Sequence, residues 1–294
     1  MNMADTLHFR EPMARHVSWR AGGAADRFFI PKSIEDLSRF LSSIPADEAL
    51  LFVGLGSNLL VRDGGFRGTV VLIHSAKKNA RLESGLVYAE AGVASPKVAR
   101  FAALQHLVGA EFLAGIPGTV GGALAMNAGC YGSETWDIVR KVVTVDRSGT
   151  IHEREKREYD IAYRHCQLRS GNEEWFVAAY FGLKPGDGEA SRARIKELLA
   201  KRMATQPLSL PNAGSVFRNP PGDHAARLIE SCGLKGLSRG GARVSEKHAN
   251  FIVNPEGAAR AADIEWLILE VKKTVLEKTG TELVPEVRIV GEPA

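Results

Sequence analysis

The chain has 294 residues, of which 45% are apolar and 24% are charged, and its formal net charge is +4. This length and apolar content suffice for one large domain, or two to three small ones, with a buried core. Lysine and arginine are dispersed among aspartate and glutamate, which disfavours a nucleic-acid partner and suits anionic small ligands. We find no segment long and apolar enough to span a membrane, so we expect a cytoplasmic protein without a membrane partner.

Three cysteines, Cys130, Cys166 and Cys232, lie far apart and form no Cys-x-x-Cys motif. An odd number at this spacing argues against a disulfide framework and against a zinc site, so we expect no metal. The interpretation that we favour is three reduced and mostly buried thiols.

The first third of the chain predicts one helix and several strands. Ser33 can cap a helix that runs to Ile44, with Asp36 as its third residue. Its apolar stripe consists of Ile34, Leu37, Leu41 and Ile44. The segment "ALLFV" (49–53) predicts a buried strand, "GLGSN" (54–58) a tight loop, and "LLVRD" (59–63) and "TVVLI" (69–73) further strands.

The middle of the chain predicts a helix, a hairpin and a second helix. The first helix should begin at Ser95, with Pro96 in its first turn and Val98, Ala102 and Leu107 facing inward. The segment "VRKVVTVDRSGTIHE" (139–153) predicts two strands around a Ser-Gly turn. A loop is expected at 184–191, followed by a helix to about Met203.

The last third predicts a separate module. The segment "PLSLPNAGSVFRNPPGDH" (207–224) is rich in Pro, Gly and Asn and is interpreted as its entry. A helix from Asp263 to Lys278 should follow and end before Gly280. Its buried face comprises Ile264, Leu267, Ile268, Val271 and Val275. The mixture of helices and strands throughout predicts the α+β class.

Two glycine-rich loops, Gly54–Asn58 and Gly115–Gly122, are the candidate ligand-binding segments. The chain contains no GxxxxGK[ST] motif, and "GLGSNL" lacks the third glycine of the dinucleotide fingerprint. Glycine lets a ligand approach main-chain N–H groups, and consecutive N–H groups bind anions, so two such loops suit a diphosphate. The alternative, tight turns that join strands, stays open for the shorter loop and is weaker for the longer one.

Seven segments in this order resemble the UDP-N-acetylenolpyruvoylglucosamine reductase family. They are "GLGSNLLVRDGGFRG", "GIPGTVGGALAMNAGCYGSE", "YRHC", "QPLSLPNAGSVFRNP", "LIESCGLKG", "VSEKHANFIVN" and "PEVRIVG". The likeness spans nearly the whole chain, from "RAGGAADRF" (20–28) to the last few residues. Little room exists between "GLKG" and "VSEKHANF", so the chain resembles the shorter form of the enzyme, which lacks a substrate-capping insertion.

The resemblance implies a fold of three parts. Non-covalent FAD would lie between two α+β subdomains, 1–75 and 76–204, in a module of the vanillyl-alcohol-oxidase type. A C-terminal α+β substrate-binding domain, 205–294, would close over the nucleotide-sugar, and a monomer is expected. The residues expected beside FAD are Gly54, Gly56, Ser57, Asn58, Gly115, Ile116, Pro117, Gly118, Gly121 and Gly122.

The resemblance also implies a reaction in two halves. NADPH would reduce FAD, and reduced FAD would deliver hydride to the β-carbon of the enolpyruvyl ether, giving UDP-N-acetylmuramate for peptidoglycan synthesis. At the family-matching positions, Ser215 would donate the proton to the α-carbon and Arg164 would pair with the substrate carboxylate. Glu286 would act beside them, protonated so that it can donate a hydrogen bond. The expected substrate-binding residues are Arg218, Lys247, His248 and Asn250.

Alternatives accompany these roles. His248 and Asn250 could instead be satisfied polar groups at the entrance of a strand. A flavin oxidase with FAD tethered to a histidine is disfavoured, because no histidine occurs between His106 and His152. A binding module without turnover would have no reason to keep the trio of Arg164, Ser215 and Glu286.

Two departures from the family pattern carry expectations of their own. Cys166 follows the "YRH" segment where relatives often carry serine, and we expect it to be a bystander in the reaction. Ser18 and Trp19 stand where Thr-Phe is frequent, and we expect this change to alter only packing.

Overall fold

The structure is a computed structural model that describes residues 6–74 and 80–294. Helices and strands are interleaved over those residues, which confirms the α+β class. The strands are Leu7–Pro12 (β1), Ala24–Phe29 (β2), Leu50–Val53 (β3), Leu59–Val61 (β4), Phe66–Leu72 (β5), Ala80–Glu83 (β6), Leu86–Glu90 (β7), Leu107–Val108 (β8), Gly129–Cys130 (β9), Ser133–Glu134 (β10), Val139–Asp146 (β11), Ile151–Glu155 (β12), Tyr159–Ala162 (β13), His165–Leu168 (β14), Glu174–Phe181 (β15), Lys184–Pro185 (β16), Ser238–Arg239 (β17), Ala242–Val244 (β18), Ile252–Val253 (β19) and Arg288–Val290 (β20). The helices are Ile34–Ser43 (α1), Ser95–Leu104 (α2), Val120–Ala125 (α3), Thr135–Ile138 (α4), Gly188–Thr205 (α5), Ala225–Ser231 (α6) and Ala261–Thr279 (α7).

The chain divides into two compact units, and each unit is assembled from three separate segments. The first unit comprises Met1–Leu7, Phe29–Leu55 and Val70–Lys201, and the second comprises His8–Phe28, Gly56–Thr69 and Arg202–Ala294. The division into 1–75, 76–204 and 205–294 stays a prediction. Its boundary at residue 75 lies outside the described residues.

The first unit is organised by a five-stranded antiparallel sheet in the order β12-β11-β15-β7-β6. Because side chains alternate along a strand, Val142 of β11 faces the core that contains α2, and Val145 faces the core that contains α1. A bulge in β15 leaves Val177 without an opposite residue in β11, and the Val177 side chain packs in the α1 core. The sheet therefore supports a hydrophobic core on each face.

Helix α1 confirms the predicted helix at 33–44. The Ser33 hydroxyl accepts a hydrogen bond from the Asp36 amide at 3.1 Å, and Leu37 and Leu41 are buried. The predicted strands at 49–53, 59–63 and 69–73 are present as β3, β4 and β5, and the predicted hairpin at 139–153 is present as β11 and β12.

Helix α2 begins at Ser95, as predicted, and buries Val98 and Ala102. The expectation that Leu107 belongs to this helix is wrong, because Leu107 lies in β8. The chain leaves the helix at Gln105, whose amide bonds back to Phe101 and Ala102, and His106 then adopts a left-handed φ of 54°.

Helix α5 begins inside the segment expected to be a loop. The Asp187 carboxylate accepts hydrogen bonds from the Glu189 amide at 2.8 Å and the Ala190 amide at 3.2 Å. These bonds satisfy N–H groups at the start of the helix, so α5 can begin at Gly188.

The second unit packs α7 against the three-stranded sheet β17-β18-β19. Helix α7 confirms the predicted buried face, and Gly280 ends it with a φ of 71°. The Asp63 carboxylate caps its first turn by accepting from the amides of Ala261 and Ala262 at 3.0 and 2.9 Å. Strand β4 also pairs in parallel with β20, so the stretch after the first glycine-rich loop is fixed to the C-terminal segment.

Trp19 lies at the centre of the core of the second unit and is fully buried. Its indole Nε1 donates a hydrogen bond to the carbonyl of Ile252 at 2.7 Å, and the Trp19 carbonyl accepts from Asn254 Nδ2 at 2.8 Å. The expectation that this residue alters only packing is therefore incomplete, because a phenylalanine could not make the indole hydrogen bond.

Candidate active site

The first glycine-rich loop passes from one unit to the other after Leu55. In the second unit Gly56 has a φ of 60°, and a Cβ there would overlap the carbonyl of His16. The Ser18 amide donates to the Gly56 carbonyl at 3.1 Å, whereas the amides of Gly56 and Ser57 have no acceptor among the described residues. This loop therefore presents two consecutive N–H groups that an anion can bind.

The second glycine-rich loop lies in the first unit. The Val120 and Gly121 amides donate to Val93 and Ala91 at 2.8 Å each, which fixes the loop against its own unit. A Cβ at Gly115 would lie 2.7 Å from Cys130 Sγ, and a Cβ at Gly121 would lie 2.9 Å from a neighbouring alanine Cβ. The packing of the chain itself thus explains these two glycines.

Gly122 differs from these glycines, because protein packing does not require it. It is exposed, and the nearest atom that an added Cβ would meet is Thr119 Oγ1 at 3.8 Å. A glycine in a helix costs about 1 kcal/mol relative to alanine. The open space beside Gly122 is what a cofactor lying against the backbone would need.

Ser95 adds a second group beside this loop that a ligand could satisfy. Its side chain is fully buried, and its hydroxyl has no hydrogen-bond partner within the described part of the chain. Its amide donates to the Gly118 carbonyl at 2.9 Å, and the Gly118 and Thr119 amides have no acceptor there. With Gly122 left open, these groups fit the FAD implied by the sequence. The sequence indicates only that Ser95 begins a helix, because the surroundings of its hydroxyl depend on the fold.

We predict that Gly122→Ala weakens FAD binding by about tenfold, roughly 1.4 kcal/mol, because the added methyl group fills the open space. The same change should leave the FAD-free protein as stable or slightly more stable. Gly121→Ala is the matched control and should lower the stability of the FAD-free protein. Titration with FAD and thermal unfolding measure both effects, and unchanged FAD affinity in Gly122→Ala would place the cofactor elsewhere.

Arg164 lies in the two-residue turn between β13 and β14 and has a left-handed φ of 54°. Glycine or asparagine is favoured at such a position, so an arginine here has a backbone cost. Its guanidinium Nη2 donates to the Gly129 carbonyl at 3.1 Å, and its Cζ lies 4.9 Å from the Tyr163 ring centroid. Arg164 is thereby held beside Gly129 in β9, the strand that follows the second glycine-rich loop along the chain.

Asn127, which the sequence analysis did not single out, links the same parts. It is buried, and its Nδ2 donates to the Glu134 carboxylate at 2.7 Å and to the Ala162 carbonyl at 3.2 Å. Its Oδ1 accepts from the Trp136 amide at 3.1 Å. Asn127 therefore connects the segment after the second glycine-rich loop to β13, the strand that precedes Arg164.

Ser215 and Glu286 lie on neighbouring segments of the second unit. The Glu286 amide donates to the Val216 carbonyl at 2.7 Å, and Phe217 and Pro285 form an antiparallel bridge beside it. The structure thus brings together two of the three residues expected to be catalytic. Asn58 joins them, because its Nδ2 donates to the Glu286 carbonyl at 3.1 Å.

Asn250 holds the segment that carries Ser215. Its side chain donates to the Phe217 carbonyl at 2.8 Å and accepts from the Phe217 amide at 2.9 Å, and its own carbonyl accepts from Val216 at 3.0 Å. Asn250 is buried, and these bonds favour the alternative of a satisfied polar group over substrate contact. Asn212, which the sequence analysis missed, fixes the same segment by accepting from the Gly214 amide at 2.9 Å.

The other expected substrate-binding residues differ in what their side chains can still bind. Arg218 Nε and His248 Nδ1 are buried without a partner among the described residues, so each can take a ligand. Burial lowers the pKa of His248, which favours a neutral imidazole. The Lys247 ammonium donates to the Met203 carbonyl at 2.7 Å and is therefore already engaged.

Cys166 is half-buried against the core of the first unit. Burial raises the pKa of its thiol to about 12, so the thiol is protonated at neutral pH. A protonated thiol is a poor nucleophile, which is consistent with the expected bystander role.

We predict that Cys166 reacts about 10³-fold more slowly with an alkylating reagent at pH 8 than an ordinary thiol, because its thiolate is scarce. Peptide mass spectrometry of the folded protein locates the modified cysteine, and Cys166→Ser identifies its signal. Labelling of Cys166 as fast as in the urea-unfolded chain would contradict the raised pKa.

Two family models and several relatives match the chain. Residues 25–154 match an FAD binding domain, and residues 206–290 match the C-terminal domain of UDP-N-acetylenolpyruvoylglucosamine reductase. A UDP-N-acetylenolpyruvoylglucosamine reductase of Thiobacillus denitrificans is 59% identical over 97% of this chain and 92% of its own length. That of Alkalilimnicola ehrlichii is 57% identical over 97% and 95%.

A solved structure agrees with these relatives. The crystal structure of the UDP-N-acetylenolpyruvylglucosamine reductase of Thermus caldophilus matches with a TM-score of 0.81 and 33% identity. The match covers 95% of this chain and 97% of that one. In the described ranges, 6–74 and 80–294, no helix is long and apolar enough to cross a membrane.

Proposed function

The chain belongs to the UDP-N-acetylenolpyruvoylglucosamine reductase family and is an FAD-dependent oxidoreductase, and on this premise we propose its reaction. It uses NADPH to reduce the enolpyruvyl ether of UDP-N-acetylglucosamine-enolpyruvate to UDP-N-acetylmuramate, a precursor of peptidoglycan. The observation that carries the proposal is the full-length likeness to reductases of that name, together with the hydrogen bond that joins the Ser215 and Glu286 segments.

The cofactor would be held by main-chain amides and open glycine backbone. Bound FAD supplies the hydride carrier between NADPH and the enolpyruvyl double bond. In the second unit, the amides of Gly56 and Ser57 have no acceptor among the described residues and could bind it, and Asn58 ends that loop. In the first unit, the Gly118 amide and the open backbone of Gly122 could bind it, with the Ser95 hydroxyl as a further donor. Gly54, Gly115, Ile116, Pro117 and Gly121 would line the cofactor, although packing within the chain already accounts for the three glycines.

Three side chains would manage charge and the proton at the substrate. Hydride addition at the β-carbon builds negative charge at the α-carbon and its carboxylate, and a guanidinium such as that of Arg164 can stabilise a carboxylate with two parallel hydrogen bonds. The Ser215 hydroxyl donates the proton to the α-carbon. Glu286 would act beside the developing enediolate. The short bond from the Glu286 amide to Val216 supports the joint placement of these two groups.

The nucleotide-sugar would meet polar groups of the second unit. Arg218 and His248 each keep a buried nitrogen without a partner among the residues described, which supports their role as ligands of its polar groups. Lys247 would lie at the edge of this surface, and Asn250 would support it. Neither is expected to be a main ligand, because both side chains already bond main-chain carbonyls.

The experiment that tests the proposal follows the product. Protein, NADPH and UDP-N-acetylglucosamine-enolpyruvate are incubated in D₂O, and the product is analysed by mass spectrometry and NMR. We expect UDP-N-acetylmuramate with a solvent-derived deuterium at the lactyl α-carbon. Yellow protein that forms no product would instead support a binding module without turnover.

A further inference from the structure

We propose that Asn58 is a positioning residue for Glu286: its carboxamide fixes the Glu286 backbone relative to the segment that carries Ser215. This inference rests on the proposed function, because it assigns Asn58 an effect on the proton-donating half of that reaction. The resemblance implied only that Asn58 lies beside FAD.

The Asn58 side chain is directed to Glu286 and not only to a cofactor. Its Nδ2 donates to the Glu286 carbonyl at 3.1 Å, and the Asn58 carbonyl accepts from the Arg288 amide at 3.0 Å. The next residue, Leu59, begins the parallel pairing of β4 with β20, opposite Arg288. The Asn58 side chain therefore adds a hydrogen bond to Glu286, two residues before the first paired residue of β20.

The opposite side of Glu286 is fixed by the Ser215 segment. The Glu286 amide donates to the Val216 carbonyl at 2.7 Å, next to Ser215 in the chain. Hydrogen bonds on both the amide and the carbonyl define the orientation of the two peptide groups around the Glu286 Cα. They thereby define the direction in which the carboxyl side chain leaves the backbone.

Loss of the Asn58 carboxamide would weaken the hold on the peptide group between Glu286 and Val287, whose amide makes only a long bond to the Val216 carbonyl at 3.5 Å. Glu286 is only half-buried, and its carbonyl precedes β20 by two residues, so the pairing of β20 restrains it weakly. A displacement of about 1 Å at a reacting group can cost 10²-fold in rate. The effect should fall mainly on the step in which Glu286 and Ser215 act, and less on the reduction of bound FAD.

The test compares the two half-reactions in Asn58→Ala. Anaerobic stopped-flow measures flavin reduction by NADPH and then flavin reoxidation by UDP-N-acetylglucosamine-enolpyruvate. Because Asn58 is also expected beside FAD, both rates are measured with FAD saturating. We expect reoxidation to slow about 10- to 100-fold more than flavin reduction does. Asn58→Leu has a similar shape, lacks the Nδ2 donor and adds no charge, and it should show the same pattern if the alanine variant does not fold.

A double-mutant cycle separates positioning from a general loss of structure. Glu286→Gln alone should slow reoxidation, and adding Asn58→Ala to it should cost less than about threefold more, because the two changes act through one group. Additive effects, or equal slowing of both half-reactions in FAD-saturated Asn58→Ala, would overturn the inference. Wild-type protein that is reduced by NADPH but never reoxidised would overturn the proposed function instead.

Discussion

Replacement of Ser215 by alanine is expected to slow flavin reoxidation by UDP-N-acetylglucosamine-enolpyruvate by about 10³-fold, because a positioned proton donor contributes on the order of 10²–10⁴ to a rate. Flavin reduction by NADPH should stay within about twofold of the wild type, because no proton reaches the substrate in that half-reaction. Anaerobic stopped-flow spectroscopy measures the two rates separately.

Ser209→Ala is the matched control, because Ser209 lies on the same Pro- and Gly-rich segment and is exposed. It should leave both rates unchanged. The Ser215 hydroxyl is partly exposed, so its removal should not alter the melting temperature by more than a few degrees. Equal slowing of both half-reactions in Ser215→Ala would show that Ser215 is not the proton donor.

Arg164→Asn is expected to slow the same half-reaction by about 10²–10³-fold, because it removes a cation from the site where negative charge develops. Asparagine is chosen because it tolerates the left-handed φ of 54° that Arg164 adopts. Relief of that strain should offset the lost hydrogen bond to the Gly129 carbonyl, so stability should change by less than about 1 kcal/mol. Half-reaction kinetics and urea unfolding measure the two quantities.

Arg169→Asn is the control for this prediction. Arg169 follows the same hairpin, is exposed, and also donates to a main-chain carbonyl, that of Tyr159 at 3.1 Å. Its loss should leave both half-reactions intact. An Arg164→Asn variant that is destabilised but reoxidises at the wild-type rate would assign Arg164 a structural role.

The elements that the sequence predicted well are those whose signal is local and periodic. Helix α7 repeats apolar residues at helical spacing and ends at a glycine, and α1 carries its cap in Ser33. The errors came from single side chains or backbone angles that interrupt such patterns. The left-handed φ of His106 removes Leu107 from α2, and the Asp187 carboxylate starts α5 earlier than its pattern indicates.

The candidate site was only partly predictable from the sequence. Motif resemblance selected Arg164, Ser215 and Glu286, and the structure places the latter two on bonded segments. The residues that hold them, Asn127 and Asn212, were missed. Each is an asparagine that bonds main-chain groups, and which groups it reaches depends on the folded backbone and not on the surrounding sequence.

The most direct test of the account is an anaerobic titration of the wild-type protein. We expect purified protein with bound FAD to lose its visible flavin absorbance on addition of NADPH. Subsequent addition of UDP-N-acetylglucosamine-enolpyruvate should restore that absorbance, with one UDP-N-acetylmuramate formed for each flavin reoxidised. Protein that binds no FAD, or whose reduced flavin the nucleotide-sugar leaves bleached, would contradict the assignment.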